Sequence, residues 1–262
     1  MTQCVMWYGR VDVSVADAQV GDLSTECPQE TGVRMTRTVL WDLDGTIADT
    51  AQAHFAAWQE TMAAEGVDYP YARFVADFGR NNDELLPELL GPAITPARIQ
   101  TISRHKEAAF RHYLHQGYGV RLLPGVLDWL ERFERAGFKQ AIGSSGPMAN
   151  IVAIVEKLEV ADYFHGLLTG LRLPRGKPDP AIFLNLASAL EVEPPQCIVI
   201  EDTTHGVEAA RRAGMASIAV GAVAANPALD EVLAANPGRT CLRVAQLSDL
   251  SWKQVDALWG EA

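Results

Sequence analysis

Two aspartates, one residue apart, follow directly on a short apolar run. Val39–Trp41 has no polar face, and the chain continues as Asp42-Leu43-Asp44-Gly45-Thr46. Two carboxylates at the end of a buried strand are unfavourable unless a cation neutralises them. Mg²⁺ prefers such oxygen ligands and leaves its other positions to water and phosphate oxygens. Gly45 allows a tight turn that brings backbone N–H groups near an anion, so the stretch predicts a metal and phosphate site.

Two later apolar runs also end in polar residues. One ends at Ser144, and the other, Cys197–Ile200, ends at Glu201 and Asp202. Lys177 lies between these runs, in a loop bounded by prolines. Ligands of open parallel sheets bind beyond the carboxyl ends of the strands, so these side chains are expected to converge. Carboxylates, a hydroxyl and a lysine at one sheet edge suit a metal-bound phosphoryl group.

Each of these residues also has an ordinary explanation. Lys177 alone is typical of a surface lysine, and Ser144 could be the N-cap of the helix that follows it. Glu201 and Asp202 could be acids at a helix start, where the helix dipole favours negative charge. We expect Asp49 to cap the next helix rather than to act in catalysis. The occurrence of all the patterns in one order argues against the ordinary explanations as a set.

Alternating helices and strands must position this site. From residue 119 onward, apolar strand-like runs alternate with helical ones, which predicts a parallel sheet with right-handed crossovers. Strands without a polar face fit a sheet that is covered on both sides. Residues 50–118 instead show apolar residues at helical spacing and no strand pattern. This block is predicted to be a helical insertion carried by the first crossover.

Together the four motifs resemble those of the haloacid dehalogenase superfamily, and the helical block is similar to the small cap of its β-phosphoglucomutase-like branch. The motifs are Asp42-x-Asp44-Gly45-Thr46, Ser144 after a small-residue strand, Gly176-Lys177-Pro178, and Glu201-Asp202-Thr203-x-x-Gly206. The resemblance covers roughly residues 36–250. It implies an α/β fold, a three-layer Rossmann-like parallel sheet core with an inserted all-helical cap domain.

The same interpretation of the sequence divides the chain into a core, a cap and two terminal segments. Residues 1–35 are predicted to be a poorly ordered extension, or translation starts at Met35, although Val11–Val15 could pair as an edge strand. The core is expected at 36–50 plus 119–250, the cap at 51–118, and a tail or helix at 251–262.

The resemblance implies a role for each motif residue. Asp42 would attack phosphorus and form an aspartyl-phosphate, and Asp44 would protonate the leaving oxygen and then deprotonate water. Dehalogenases of the superfamily lack the second aspartate, so its presence points to phosphate chemistry. Ser144 would bind a phosphoryl oxygen and Lys177 would offset negative charge. Gly45 and Ser145 are further predicted contacts of the substrate.

Mg²⁺ is the cofactor that the resemblance implies. Its ligands would be Asp42, the Asp44 carbonyl and Asp202, with Glu201 acting directly or through water.

The cap residues are less clearly assigned. His54 and Trp58 share a helix face and would face the substrate as similar residues do in β-phosphoglucomutases, although a core role for Trp58 is an equal alternative. Mutases of that kind carry an arginine in the cap loop at the position matched to Asn82, with Arg80 two residues earlier here. That departure argues against a phosphomutase. Lys106 could contact the distal part of the substrate, but a solvated helix lysine is the favoured alternative.

We therefore predict a Mg²⁺-dependent phosphatase of a small phosphorylated metabolite such as a sugar phosphate. The alternatives are a β-phosphoglucomutase-type phosphomutase and, less favoured, a non-catalytic binding protein on the same fold. The net charge of −11 disfavours nucleic acid and anionic membranes as partners. The four cysteines are scattered, which favours a reducing, cytoplasmic setting, with a buried role for Cys197. A monomer or weak dimer is expected, without a membrane span or a secretory signal.

Overall fold

A computed structural model of the protein describes residues 37–77, 80, 82–235 and 238–259. The predictions for residues 1–35, including the strand at Val11–Val15 and the start at Met35, lie outside the described residues. Within the described ranges, the helices are too short or too polar to cross a lipid bilayer.

The central element is a sheet of parallel strands. The strands of the described chain are β1 (Thr38–Trp41), β2 (Ala48–Asp49), β3 (Arg121–Leu122), β4 (Lys139–Ser144), β5 (Gly166–Thr169), β6 (Cys197–Glu201), β7 (Ala216–Val220) and β8 (Cys241–Val244). Six of them form the sheet in the order β5-β4-β1-β6-β7-β8, whereas β2 and β3 form a separate antiparallel pair. Strand β1 therefore lies in the interior of the sheet between β4 and β6, which confirms the predicted parallel arrangement.

Helices cover both faces of the sheet. The helices are α1 (Ala51–Ala64), α2 (Tyr71–Asp77), α3 (Asn82–Leu90), α4 (Pro96–His115), α5 (Val126–Arg135), α6 (Met148–Lys157), α7 (Ala181–Ala189), α8 (Thr204–Arg212), α9 (Pro227–Ala235) and α10 (Trp252–Ala257). Val39 and Trp41 pack on the side of α5 and α6, and Leu40 packs on the side of α7 and α8. Successive strand residues point to opposite faces, so this all-apolar strand is buried on both sides. The three-layer α/β architecture is thus confirmed.

The helical insertion is also confirmed. Helices α1 to α4 follow one another between β2 and β3, without an intervening strand in the part of this segment that the structure describes. They enclose an apolar cluster of their own that includes Met62, Phe74 and Leu86. The division into domains at residues 50 and 118 stays a prediction.

Two short helices lie near the C-terminal end of the described chain. Helix α9 was not predicted, and its Leu229 packs against Val207 and Val223. Helix α10 occupies part of the region for which a tail or a helix was expected.

A buried glutamine joins the strand of the first motif to its neighbours. Gln140 on β4 accepts from Trp41 Nε1 at 3.1 Å and donates to the carbonyl of Leu130 at 2.9 Å. Its side chain is fully buried, so the indole N–H of Trp41 depends on this amide for its hydrogen bond. The amide thereby ties β1, β4 and α5 together beneath the strand ends.

We expect Gln140→Leu to lower the free energy of unfolding by roughly 1–3 kcal/mol, because it leaves the buried indole N–H of Trp41 unpaired. Urea denaturation measures the change. The same substitution at exposed Gln100 is the control and should stay within about 0.5 kcal/mol of wild type. Equal losses for the two variants would contradict the importance of the buried amide.

Candidate active site

A lysine side chain connects the carboxyl ends of the three strands β1, β4 and β6. Lys177 Nζ lies 2.6 Å from Asp42 Oδ1 and 2.6 Å from Glu201 Oε1, and it donates to the carbonyl of Gly143 at 3.1 Å. Its side chain is only 7% exposed, so the alternative of a surface lysine is wrong. The ammonium group thus joins residues that are far apart in the chain.

Three carboxylates surround this position. Oxygens of Asp42, Glu201 and Asp202 lie within 4.8 Å of one another. Burial and the neighbouring acids raise the pKa of Asp42 to about 7, although Lys177 lowers it, and the same causes raise the pKa of Asp202 to about 9. Burial would lower the pKa of Lys177, but Asp42 and Glu201 outweigh it and hold that pKa above its usual value. The protein's own cation does not balance these acids, so the oxygen donors fit a divalent cation such as Mg²⁺.

Glu201 is the last residue of β6, and the chain that leads into α8 holds its side chain in place. Its Oε2 accepts from the backbone N–H groups of Asp202 and Thr203, each at 3.0 Å, and from Thr203 Oγ1 at 2.9 Å. A Cβ on Gly206 would lie 1.8 Å from the Glu201 carboxyl carbon, so only glycine leaves room for this side chain. The N-cap of α8 is Thr203 and its first turn contains no acid, so the helix-start alternative is wrong and Glu201 faces Lys177 instead.

The turn after β1 passes close to Asp202. Gly45 has φ of 85°, and a Cβ there would lie 2.0 Å from Asp202 Oδ2. Thr46 Oγ1 lies 3.5 Å from Asp202 Oδ1. Glycine is thus required by both backbone conformation and space, which brings the first and fourth motifs together.

Ser144 ends β4 and is buried. Its Oγ accepts from the N–H of Gly146 at 3.1 Å. Helix α6 begins at Met148 after Pro147 and has no side-chain cap, so the alternative that Ser144 is an N-cap is wrong. Ser145 is exposed directly beyond the strand end. The roles of both serines towards phosphate stay predictions.

The side chain of Asp44 faces the helical insertion. Its Oδ1 accepts from Thr50 Oγ1 at 2.6 Å and lies 3.4 Å from His54 Nε2. Burial would raise the pKa of Asp44, but the hydrogen bonds of His54 and Thr50 and the charge of Lys106 hold it below its usual value. These contacts therefore favour the carboxylate form of Asp44.

Thr50 is a residue that the sequence analysis missed. It is the N-cap of α1, but its side chain makes no cap hydrogen bond and turns to Asp44 instead. The prediction that Asp49 caps α1 is wrong, because the Asp49 carboxylate pairs with Arg121 Nη2 at 2.8 Å. The position of a threonine directly before a helical pattern could have indicated that Thr50, rather than Asp49, precedes the helix.

His54 and Lys106 form a buried pair behind Asp44. Lys106 Nζ lies 2.9 Å from His54 Nδ1, and the His54 ring stacks on Phe110 with centroids 3.9 Å apart. Burial and Lys106 together lower the pKa of His54. A lysine only donates, so Nδ1 accepts and the hydrogen of a neutral ring lies on Nε2, towards Asp44. Lys106 is 5% exposed, so the alternative of a solvated lysine is wrong.

The other predicted cap residues lie elsewhere in the insertion. Trp58 packs in the apolar cluster of the cap, and Lys106 Nζ lies 5.4 Å from its ring centroid, which supports the core alternative. Asn82 begins α3 and donates to Ser103 Oγ at 3.1 Å. Arg80 pairs with Asp77 and Glu88 at 3.1 and 2.6 Å. The substrate contacts of Trp58 and Asn82 stay predictions.

Comparisons with known proteins agree with this geometry. Residues 36–214 match the family model of the haloacid dehalogenase-like hydrolases. β-Phosphoglucomutase of Bacillus subtilis is 34% identical over 192 residues, which cover 71% of this chain and 83% of that protein. Fructose-1-phosphate phosphatase YqaB of Escherichia coli is 28% identical over 183 residues, which cover 70% of this chain and 95% of that protein.

A solved structure shows the same fold. The crystal structure of β-phosphoglucomutase from Clostridium difficile superposes with a TM-score of 0.71 at 23% identity, covering 87% of this chain and 98% of that one. The family match over most of the chain and the relative that is 34% identical give its membership. The chain belongs to the haloacid dehalogenase-like hydrolase family.

Proposed function

We propose that this protein is a Mg²⁺-dependent phosphatase that hydrolyses a small phosphorylated sugar through an aspartyl-phosphate on Asp42. The observation that carries the proposal is the cluster of Asp42, Glu201 and Asp202 around Lys177, with Asp44 one residue beyond the nucleophile. Membership of a hydrolase family and the presence of both aspartates count against a non-catalytic binding protein.

Each residue has a step in this reaction. An Asp42 carboxylate oxygen attacks phosphorus while the ester oxygen leaves. Asp44 gives this oxygen a proton, and for that step it must first take up a proton, because Thr50 and His54 favour its carboxylate form. Water then attacks phosphorus, Asp44 takes its proton, and Asp42 is released together with inorganic phosphate. Lys177 holds the Asp42 carboxylate in position by its 2.6 Å contact and offsets the negative charge.

The metal would be held by Asp42, Asp202 and the Asp44 carbonyl, with Glu201 binding directly or through water. When bound, Mg²⁺ supplies positive charge that stabilises the phosphoryl oxygens in the transition state. The raised pKa values of Asp42 and Asp202 support such a cation, because they reflect buried acids with too little positive charge nearby. Ser144 and Ser145 are then available for phosphoryl oxygens.

The names of the relatives support a sugar phosphate as the substrate. One is a β-phosphoglucomutase and another a fructose-1-phosphate phosphatase, so both act on phosphorylated hexoses. A screen of phosphorylated metabolites with and without Mg²⁺ would identify the substrate of this chain.

A phosphomutase is the second candidate, favoured by the 34% identity with the Bacillus subtilis enzyme. A mutase must hold a second phosphate group, and the position matched to the cap arginine of mutases is Asn82. The nearby Arg80 is engaged in ion pairs with Asp77 and Glu88. These contacts support the phosphatase over the mutase.

We expect Asp42→Asn to reduce phosphate release from p-nitrophenyl phosphate by at least about 10³-fold, because an amide cannot serve as the nucleophile. Steady-state kinetics with Mg²⁺ measure the loss. Asp162→Asn, which changes an exposed aspartate, is the matched control and should turn over at the wild-type rate. Undiminished turnover by Asp42→Asn would rule out the proposed mechanism.

Mg²⁺ should raise the melting temperature of the wild-type protein, since a ligand that binds only the folded state stabilises it. Asp202→Asn should abolish most of this shift, and excess chelator should stop turnover. Asp162→Asn should keep the full shift. The cofactor assignment fails if Asp202→Asn responds to Mg²⁺ as the wild type does.

The mutase alternative is tested by assaying conversion of glucose-1-phosphate to glucose-6-phosphate beside phosphate release. The wild type should release inorganic phosphate and form little glucose-6-phosphate. Asn82→Arg should raise the mutase rate by adding a second phosphate contact, and Asn82→Leu serves as its control. A wild-type enzyme that isomerises faster than it hydrolyses would favour the mutase.

A further inference from the structure

A polar bridge joins the helical insertion to the core. It consists of Glu107 and Arg111 on α4 and Asn150 on α6, and we call it the α4–α6 bridge. Asn150 Nδ2 donates to Glu107 Oε2 at 2.6 Å, and Arg111 Nη1 donates to Asn150 Oδ1 at 2.8 Å. Asn150 is only 4% exposed, and these two bonds satisfy the oxygen and the nitrogen of its amide at a buried interface.

The bridge continues to the candidate active site. The second oxygen of Glu107, Oε1, accepts from Lys106 Nζ at 3.0 Å. Lys106 in turn lies 2.9 Å from His54 Nδ1, and His54 Nε2 lies 3.4 Å from Asp44 Oδ1. A continuous line of polar contacts therefore runs from the core helix α6, through the insertion, to the second aspartate of the first motif.

Glu107 binds the insertion and the core at the same time. Each of its oxygens accepts from a different donor, one on the insertion and one on the core. The position of Asn150 thereby fixes the carboxylate that is the partner of the Lys106 ammonium. Since the Lys106 side chain is 7% exposed, water has little access to replace that carboxylate.

The core end of the bridge lies next to another motif. Helix α6 begins at Met148, shortly after the buried end of β4 at Ser144. Asn150 lies in the first turn of this helix. The bridge thus ties the insertion to the helix that directly follows the predicted phosphate-binding serines.

We propose that Glu107, Asn150 and Arg111 are positioning residues that hold the Lys106–His54 pair against Asp44 only when α4 is seated on α6. This inference rests on the proposed phosphatase function. The bridge residues touch neither substrate nor metal, and they act through Lys106. Turnover consequently depends on the fit between the insertion and the core.

The test exchanges donor and acceptor across the bridge. Glu107→Gln leaves one acceptor oxygen for two donors, and Asn150→Asp places two carboxylates face to face. The double variant restores every contact, because the new amide at 107 can donate to the new carboxylate at 150 and still accept from Lys106. Arg111 can donate to that carboxylate as well.

With p-nitrophenyl phosphate and Mg²⁺, we expect each single variant to lower kcat about tenfold, as for loss of a hydrogen bond to a charged group. The double variant should recover to within about threefold of wild type. Tyr113→Phe, which removes a 2.8 Å bond from α4 to Glu60 on α1, is the matched control and should keep the wild-type kcat. Melting temperatures establish that all variants are folded.

Single variants with wild-type kcat, or a double variant whose loss equals the product of the two single losses, would overturn the proposal. So would single variants that lower the melting temperature without changing kcat, since the bridge would then be structural only.

Hydrogen exchange separates this inference from the proposed function, because it needs no substrate. Amides of α1 around His54 and of α4 should exchange faster in each single variant and return to the wild-type rate in the double variant. If the wild type releases no phosphate, the proposed function fails, and the exchange pattern alone decides the bridge. Unchanged exchange in the single variants would overturn the bridge.

Discussion

The contact of one buried ammonium with two buried carboxylates is the constraint on which this site depends. Lys177 lies between Asp42 and Glu201, and it also binds the carbonyl of Gly143. Acids on neighbouring strand ends would otherwise repel one another in a region with little water. The lysine makes it possible to bring them within a few ångströms, and the remaining negative charge makes the position attractive for a divalent cation.

The two aspartates of the first motif lie in different environments. Asp42 faces the core, where burial and the neighbouring acids raise its pKa. Asp44 faces the insertion, where Thr50 and His54 approach its carboxylate and its pKa is lowered. One turn of chain therefore presents two carboxylates with opposite pKa shifts. A nucleophile must be ionised, so Asp42 depends on added positive charge, such as that of a divalent cation, to lower its pKa, whereas Asp44 acts as an acid only in its protonated form. The core supplies one environment and the insertion supplies the other.

Much of this arrangement could be predicted from the sequence. The apolar runs before Asp42 and Glu201 and the small-residue strand before Ser144 predict parallel strands whose ends converge, because strand direction fixes which ends meet. Lys177 was placed correctly through its motif, although an isolated lysine carries no such signal.

The errors have a common physical cause. Local helix rules suggested helix caps at Asp49 and Ser144. The Asp49 side chain instead pairs with Arg121, and the Ser144 side chain instead accepts from the N–H of Gly146 in a turn. The solvated alternative for Lys106 failed because helix periodicity does not show which polar side chain a neighbouring element covers. The bond between Glu107 and Asn150 joins residues 43 apart in sequence, so no local pattern reveals it. The central position of β1 has a further consequence: a strand paired on both sides opens only when its neighbours open as well, so Asp42 should be among the last parts of the protein to be lost during local unfolding.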